Sequence, residues 1–281
     1  MTKFEVVRDL PTLRQMTEHW RKNGQRTAVV PTMGALHAGH LKLAEEGLRL
    51  ADHVVATIFV NPRQFGKNED LSRYPRDEVG DLALLKSVGV ELVFAPSPDV
   101  IYPRDFATSV HMEGPAKVGL EDRFRPQFFD GVATVVSKLL IAADADFAMF
   151  GEKDYQQLQV VKQMARDLGL RTEIVGVPTQ REDDGLAMSS RNRYLSKSER
   201  QQAVSIYKGL SQAAAKIRGG AKPQTATRAA ARSLTTLGFK VDYVAARNAD
   251  TLAVPTQLGE PIRLLAAAWL GKTRLIDNMA V

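Results

Sequence analysis

Val29-Val30-Pro31-Thr32-Met33-Gly34-Ala35-Leu36-His37-Ala38-Gly39-His40-Leu41-Lys42-Leu43 decides how this chain is read. An apolar run, Ala28 to Val30, stops at a proline and a glycine, and an apolar-periodic segment starts at His40. The stretch therefore reads as strand, tight turn and helix. It places His37-Ala38-Gly39-His40 at a helix N-terminus, where free backbone N–H groups and the positive end of the macrodipole attract phosphate. Gly34 and Gly39 let the backbone approach such an anion closely. Two unrelated histidines in a turn would give the same letters, but the strand before and the helix after favour a site.

Working outward, residues 9–22 carry a helical rhythm, with Asp9 or Thr12 as the cap. Beyond the histidines, Leu41, Ala44, Leu48 and Ala51 mark the helix, and His53 to Val60 is a β-branched run expected of a strand buried on both faces of a parallel sheet. Ligands of such sheets lie at the carboxyl ends of the strands, where His37 and His40 fall. The polar loop Asn61 to Arg76 leaves that same end. Its charged tip, Lys67 to Asp70, reads as a solvated connector, whereas Asn61 and Gln64 read as functional because they leave the strand end nearest the histidines.

A helix from about Asp77 to Ser87 and a strand from Val90 to Phe94 continue the alternation, and a strand is expected over Ala107 to Met112. Val132, Val135, Val136, Leu139 and Leu140 form a core stripe on a helix. Asp146 to Phe150 is a strand, and Gly151-Glu152-Lys153-Asp154-Tyr155-Gln156-Gln157 opens a helix with Leu158, Val161, Met164 and Leu168 on its apolar face. Glycine, lysine and carboxylate at a strand-to-helix turn suit phosphate or ribose; a cap with incidental charges is the alternative. Glu173 to Pro178 is the last strand of the series. Two Ala-rich helices over residues 197–219 and 223–237, then strands near 239–245 and 261–269, give a division into a domain of residues 1–177 and one of 178–281.

The histidine turn resembles the HIGH motif of the nucleotidyltransferase superfamily, which includes class I aminoacyl-tRNA synthetases. PTMGALHAGHLKL, FVNPxQF with DLxxYPR, GEKDYQQ and AMSSRNxYL, in that order, resemble the pantoate–β-alanine ligase (pantothenate synthetase) family, and AAWLG…RLIDN extends the likeness to nearly the full chain. The resemblance implies an α/β fold: a Rossmann-like nucleotidyltransferase domain with a parallel sheet, binding ATP and pantoate, plus a small α+β C-terminal lid. It implies ATP-dependent condensation of pantoate with β-alanine through a pantoyl-adenylate, with Mg²⁺, in a cytoplasmic homodimer. His40, His37 and Lys153 would be catalytic. Met33, Gly34, Ala35, Leu36, Ala38, Gly39, Gly151, Glu152, Asp154, Gln180, Met188, Ser189, Ser190 and Arg191 would join them around ATP. Gln64, Gln157, Asn61 and Arg125 would serve pantoate and β-alanine, and two glutamine amides suit a polyol because each donates and accepts. Where the family has a small residue and a histidine after Arg-Pro, this chain has Gln127 and Phe128. The family carboxylate nearest a metal role matches Asp81, beside Gly80, and the metal ligands stay open.

Bulk properties limit the alternatives. The chain has 281 residues and no cysteine, which excludes disulfides, thiolate metal sites and cysteine nucleophiles. No apolar run is long enough to span a bilayer, and the first ten residues have no signal-peptide pattern. Residues 1–180 hold 22 Lys and Arg against 24 Asp and Glu, whereas residues 181–281 hold 16 against 8. The basic C-terminal part fits either nucleic acid or closure over a polyphosphate. Two rivals are a nucleotidyltransferase with another acceptor, which would not need both glutamines, and an RNA- or tRNA-binding module, for which no aromatic-basic motif is present. Small-molecule substrates, without nucleic acid or membrane, are the expected partners.

Overall fold

A computed structural model describes residues 4–66, 69, 71–257 and 259–281. Lys67, Asn68 and Asp70 of the expected connector, and Met1 to Lys3 of the N-terminus, lie outside the described residues. The chain divides into two compact units, Met1–Glu152 with Val160–Pro178, and Lys153–Gln159 with Thr179–Val281.

In the first unit, β1 (Glu5–Val7), α1 (Leu10–Lys22), β2 (Thr27–Thr32), α2 (Ala38–Leu50), β3 (His53–Ile58), α3 (Glu78–Ser87), β4 (Leu92–Phe94), α4 (Pro98–Ile101), α5 (Glu121–Phe124), α6 (Phe128–Ala143), β5 (Phe147–Gly151), α7 (Tyr155–Asp167, of which residues 155–159 fall in the second unit) and β6 (Glu173–Val177) follow in order. The six strands form one parallel sheet ordered β1-β4-β3-β2-β5-β6. Ala28, Val29, Val30, Val54, Val55 and Ala56 are all fully buried, as strands covered on both faces require. Asp9, not Thr12, caps α1, its carboxylate accepting the Thr12 N–H at 2.9 Å. The expected α6 stripe is buried throughout.

Two expectations in this unit fail. Residues 107–112 form no strand, because the Val110 N–H donates to Thr134 Oγ1 (2.9 Å) and the Met112 N–H to Asp130 Oδ1 (3.0 Å). Side chains of α6 thus take the backbone donors that a ladder would have used. Leu168 lies just past the end of α7 and is exposed.

The second unit holds α8 (Lys197–Ala203), α9 (Ser205–Arg218), α10 (Pro223–Thr236), β7 (Lys240–Asn248), β8 (Ile262–Leu270) and β9 (Thr273–Ala280), the strands forming an antiparallel sheet in sequence order. The single helix expected over 197–219 is divided at Val204; the apolar period reads alike on both sides of the break, so periodicity does not reveal it. On the central strand, Leu264, Ala266, Ala268 and Leu270 share one face and pack with Ile206, Leu210, Ala213, Ala226 and Ala230 of α9 and α10. Alanines there let the helices lie close to the sheet.

Candidate active site

From β2 the chain moves outward to β3 and β4, then crosses back to place β5 on the other side of β2. The strand order reverses between β2 and β5, and ligands of open α/β sheets lie outside the carboxyl ends at such a reversal. The histidine turn leaves the carboxyl end of β2, and Gly151 and Glu152 leave that of β5.

The turn itself is held from α3. Asp81, 3% exposed, accepts the N–H groups of Ala35 (2.8 Å) and Leu36 (2.7 Å). Ala35 has a left-handed backbone (φ 52°), which is costly for a residue with a Cβ, and charge-assisted bonds to its own and the next amide offset that cost. Gly34 also has positive φ (75°), and a Cβ there would stand 2.8 Å from Asp81 Oδ2. The carboxylate that the family likeness placed nearest a metal role is thus engaged with the backbone of the turn.

His37 caps α2. Its Nδ1 accepts the Gly39 N–H (3.1 Å), the His37 N–H donates to His40 Nδ1 (3.3 Å), and the two rings lie 4.1 Å apart. Because Nδ1 accepts in both, these bonds assign the Nε2–H tautomer to both neutral imidazoles, leaving Nε2–H as the remaining ring donor.

Gln64 reaches this turn, its Nε2 donating to Met33 Sδ at 3.0 Å. Its position is set by Asn61, which is 1% exposed and caps the 3-10 turn Pro62–Gln64. The Asn61 amide donates to Gln64 Oε1 (3.0 Å) and the Gly131 carbonyl (3.1 Å), and its oxygen accepts from Tyr102 Oη (2.8 Å) and the Arg63 N–H (3.3 Å). Two donors and two lone pairs exhaust the capacity of an amide. Gly131 on α6 permits the close packing, since a Cβ there would lie 2.3 Å from the Arg63 carbonyl oxygen. Arg125 grips the same loop with a forked pair to Glu69 (2.6 and 2.7 Å) and a bond to the Gln64 carbonyl (3.1 Å). Its guanidinium lies 3.6 Å from the centroid of the Phe128 ring, so the phenylalanine that departs from the family pattern forms the floor under this arginine.

In the second unit, Lys153 and Asp154 share a 3-10 turn, with Lys153 Nζ 3.6 Å from Asp154 Oδ2. Gln157, half-buried, follows on α7. Gln180 and Met188 are joined by the Met188 N–H to the Gln180 carbonyl (3.0 Å), beside an antiparallel bridge between Arg181 and Ala187. Ser189 caps a 3-10 turn, Ser190–Tyr194, its hydroxyl accepting the Arg191 N–H at 3.3 Å. Two hydroxyls and a guanidinium thus follow one another where the hairpin passes into the 3-10 turn, a donor set suited to phosphate.

Comparison with known proteins decides the family. A family model described as pantoate-beta-alanine ligase matches residues 5–280. The pantothenate synthetase of Rhodopseudomonas palustris (strain BisA53) is 53% identical over 277 residues, covering 98% of both chains. The chain belongs to the pantoate–β-alanine ligase family. The crystal structure of pantothenate synthetase from Thermus thermophilus is 44% identical with a TM-score of 0.92, over 98% of this chain and 99% of that one. A pantoate-beta-alanine ligase from Francisella tularensis, solved in complex with beta-gamma ATP and beta-alanine, is 32% identical with a TM-score of 0.82, over 99% and 97%.

Within this pantoate–β-alanine ligase fold, sequence reasoning missed several residues that set the site. Glu69 falls in the tip expected to be a solvated connector, yet it holds the Arg125 fork; the family likeness alone points to Asp81, and Tyr102 and Gly131 carry no reading. Local signals were weak for Tyr102 and Glu69, whose partners are 41 and 56 residues away. The adjacent Asp277 and Asn278, within RLIDN, were read only as part of the family likeness. A polar pair between Leu275-Ile276 and Met279-Ala280 is a signal that could have found them.

Proposed function

We propose that this chain makes pantothenate from pantoate, β-alanine and ATP, releasing AMP and pyrophosphate. The observation that carries the reading is the reversal of strand order between β2 and β5, which places the His37–His40 turn and the Gly151 turn at neighbouring strand ends. The beta-gamma ATP and beta-alanine of the Francisella ligase support the choice of substrates.

In the first step the pantoate carboxylate attacks the α-phosphate. Its oxygen bonds to phosphorus as the bond to the β-phosphate oxygen breaks, and pyrophosphate leaves. An ionised carboxylate needs no general base. The chain's tasks are to align the reactants and absorb developing charge. Gln64, held by Asn61, and Gln157 orient pantoate, while Arg125 fixes the loop that carries Gln64. His37 and His40 offer Nε2–H donors to the α-phosphate; Met33 to Gly39, Gly151, Glu152, Asp154 and Gln180 enclose the nucleotide; Lys153, Met188, Ser189, Ser190 and Arg191 hold the triphosphate.

The β-alanine amine then attacks the acyl carbon, the bond to the AMP oxygen breaks, and the amine proton passes to solvent. Magnesium would be held by oxygens of the triphosphate and would neutralise phosphate charge, while the imidazoles, hydroxyls, lysine and arginine would contact the phosphates themselves. Residues 178–281 are assigned the part of a lid. A cytoplasmic homodimer belongs to the same proposal, with sedimentation testing the assembly.

The test is pantoate-dependent exchange of labelled pyrophosphate into ATP with β-alanine absent. Exchange, followed on adding β-alanine by equal amounts of pantothenate and AMP, supports an acyl-adenylate. ADP release, or nucleotide turnover indifferent to pantoate, overturns it.

A further inference from the structure

Two adjacent residues of β9 lie outside every role assigned above and connect two segments of the second unit that carry such roles. Asp277 is 5% exposed and receives a forked pair from Arg181 (2.8 and 2.9 Å). Arg181 also donates to the carbonyls of Gly185 (3.0 Å) and Asn278 (3.2 Å) and lies over the Tyr207 ring at 4.3 Å. It therefore fixes the stem of the hairpin that leads into Met188 to Arg191. Asn278, 3% exposed, donates its side-chain N–H to the carbonyl of Lys153 at 2.8 Å. Its oxygen accepts from Arg263 Nε (2.7 Å), and that guanidinium lies 4.1 Å from the ring centroid of Tyr155, two residues after Lys153. The Asn278 N–H in turn bonds to Asp277 Oδ1 at 2.7 Å, closing the network. Successive side chains of a strand point to opposite faces, so one dipeptide serves a different segment on each side.

We propose that Asp277 and Asn278 are positioning residues for adenylate formation, setting the backbone of Lys153 and the hairpin that leads into Met188–Arg191 in a fixed relation from a single strand. Buried ion pairs are seldom the most stabilising use of core space, because apolar replacements of similar volume are often neutral or better. A buried arginine fork does fix orientation, which apolar packing does less strictly. The same sheet contains a contrasting pair, Arg274 and Asp242 (2.8 Å), which joins β9 to β7. The proposal rests on the assignment of Lys153 and the hairpin to the triphosphate.

Asn278→Asp keeps the acceptor for Arg263 but replaces the donor to the Lys153 carbonyl by an oxygen. Asp277→Asn keeps shape and removes the charge opposite Arg181. Asp242→Asn is the control for simple loss of a buried pair. In the full-length protein, KM for ATP in pantoate-dependent exchange is expected to rise, and kcat to fall, by about 10- to 100-fold in the first two variants, as misplacement of reacting groups does. Pantoate affinity, measured by calorimetry, should stay within about twofold, and Asp242→Asn should lower the thermal midpoint with unaltered kinetics.

Equal losses of thermal midpoint in all three, with KM for ATP unmoved, overturn the proposal. Arg181→Lys, which retains charge but loses the fork, supplies the same kinetic decision if either Asn278→Asp or Asp277→Asn fails to fold. If the unaltered protein shows no pantoate-dependent exchange, the proposed function fails. Calorimetry with ATP alone then still decides the positioning role: unchanged affinity across the Asp277 and Asn278 variants sinks it, and weakened affinity sustains it.

Discussion

The side-chain amide of Asn61 donates to Oε1 of Gln64 at 3.0 Å, and the donors and lone pairs of Asn61 are all taken by the chain itself. Asn61 was expected to touch substrate; its geometry suits fixing which way the Gln64 amide faces. With Oε1 accepting from Asn61 and Nε2 set toward Met33, Gln64 cannot flip without breaking both contacts.

Asn61→Asp should therefore act on pantoate through Gln64. The new carboxylate oxygen would face Gln64 Oε1 and the Gly131 carbonyl, replacing two attractive contacts by repulsive ones. A loss of about 1–3 kcal/mol, or roughly 5- to 150-fold in pantoate affinity, is expected. ATP affinity should barely move. Calorimetric titration of each ligand decides it, and equal loss for both would point to general disruption.

Gly131→Ala sets two effects against each other. Alanine in a helix interior is favoured over glycine by about 1 kcal/mol. The added Cβ would, however, meet the Arg63 carbonyl oxygen at 2.3 Å, and backbone cannot swing aside as a side chain can. Overpacking of about 1–3 kcal/mol should win. A lower thermal midpoint with weakened pantoate binding is the expected result; a raised midpoint would show that the Arg63–Gln64 segment yields freely.

Asp81→Asn tests whether that carboxylate serves the turn or a metal. The carboxamide can place an oxygen toward only one of the two N–H groups and turns an NH₂ toward the other, costing about 1–3 kcal/mol. Exchange activity should fall as the Ala35 backbone relaxes, and raising magnesium should not restore it. Recovery at high magnesium would mean that Asp81 contributes to a metal site after all.

Burial pushes the Tyr102 phenol up to about 12, so it stays protonated and keeps donating to Asn61 wherever the unfolded tyrosine, near 10, is still neutral. A folded pKa above the unfolded one gives stability that is complete below pH about 10 and is lost as pH rises toward 12. Lysines titrate in the same window, so the informative quantity is the difference between the protein and Tyr102→Phe in urea unfolding. That difference should shift in favour of the variant between pH 8 and pH 11. A gap independent of pH would show that Tyr102 ionises as freely folded as unfolded.

The sequence alone determined the βα alternation, the helix behind the histidine turn, the buried stripe of α6 and the candidate segments at strand ends. Those features follow from forces acting within a few residues: proline and glycine restrict backbone angles, an N-cap side chain meets the next turn, and apolar spacing selects the face to be buried. Where the sequence reading failed, a distant partner had intervened. Ala107 to Met112 has the letters of a strand, yet α6 side chains take its donors across 24 and 18 residues. Asp81, which the family likeness puts nearest a metal role with the ligands left open, has the amides of Ala35 and Leu36 at 2.8 and 2.7 Å, partners 46 and 45 residues away that no local pattern names. The order of the strands, and with it the reversal beside β2, depends on which apolar faces pack together. Only the tertiary structure decided these, because a hydrogen-bonding group or an apolar face has many possible partners along the chain and the fold selects among them.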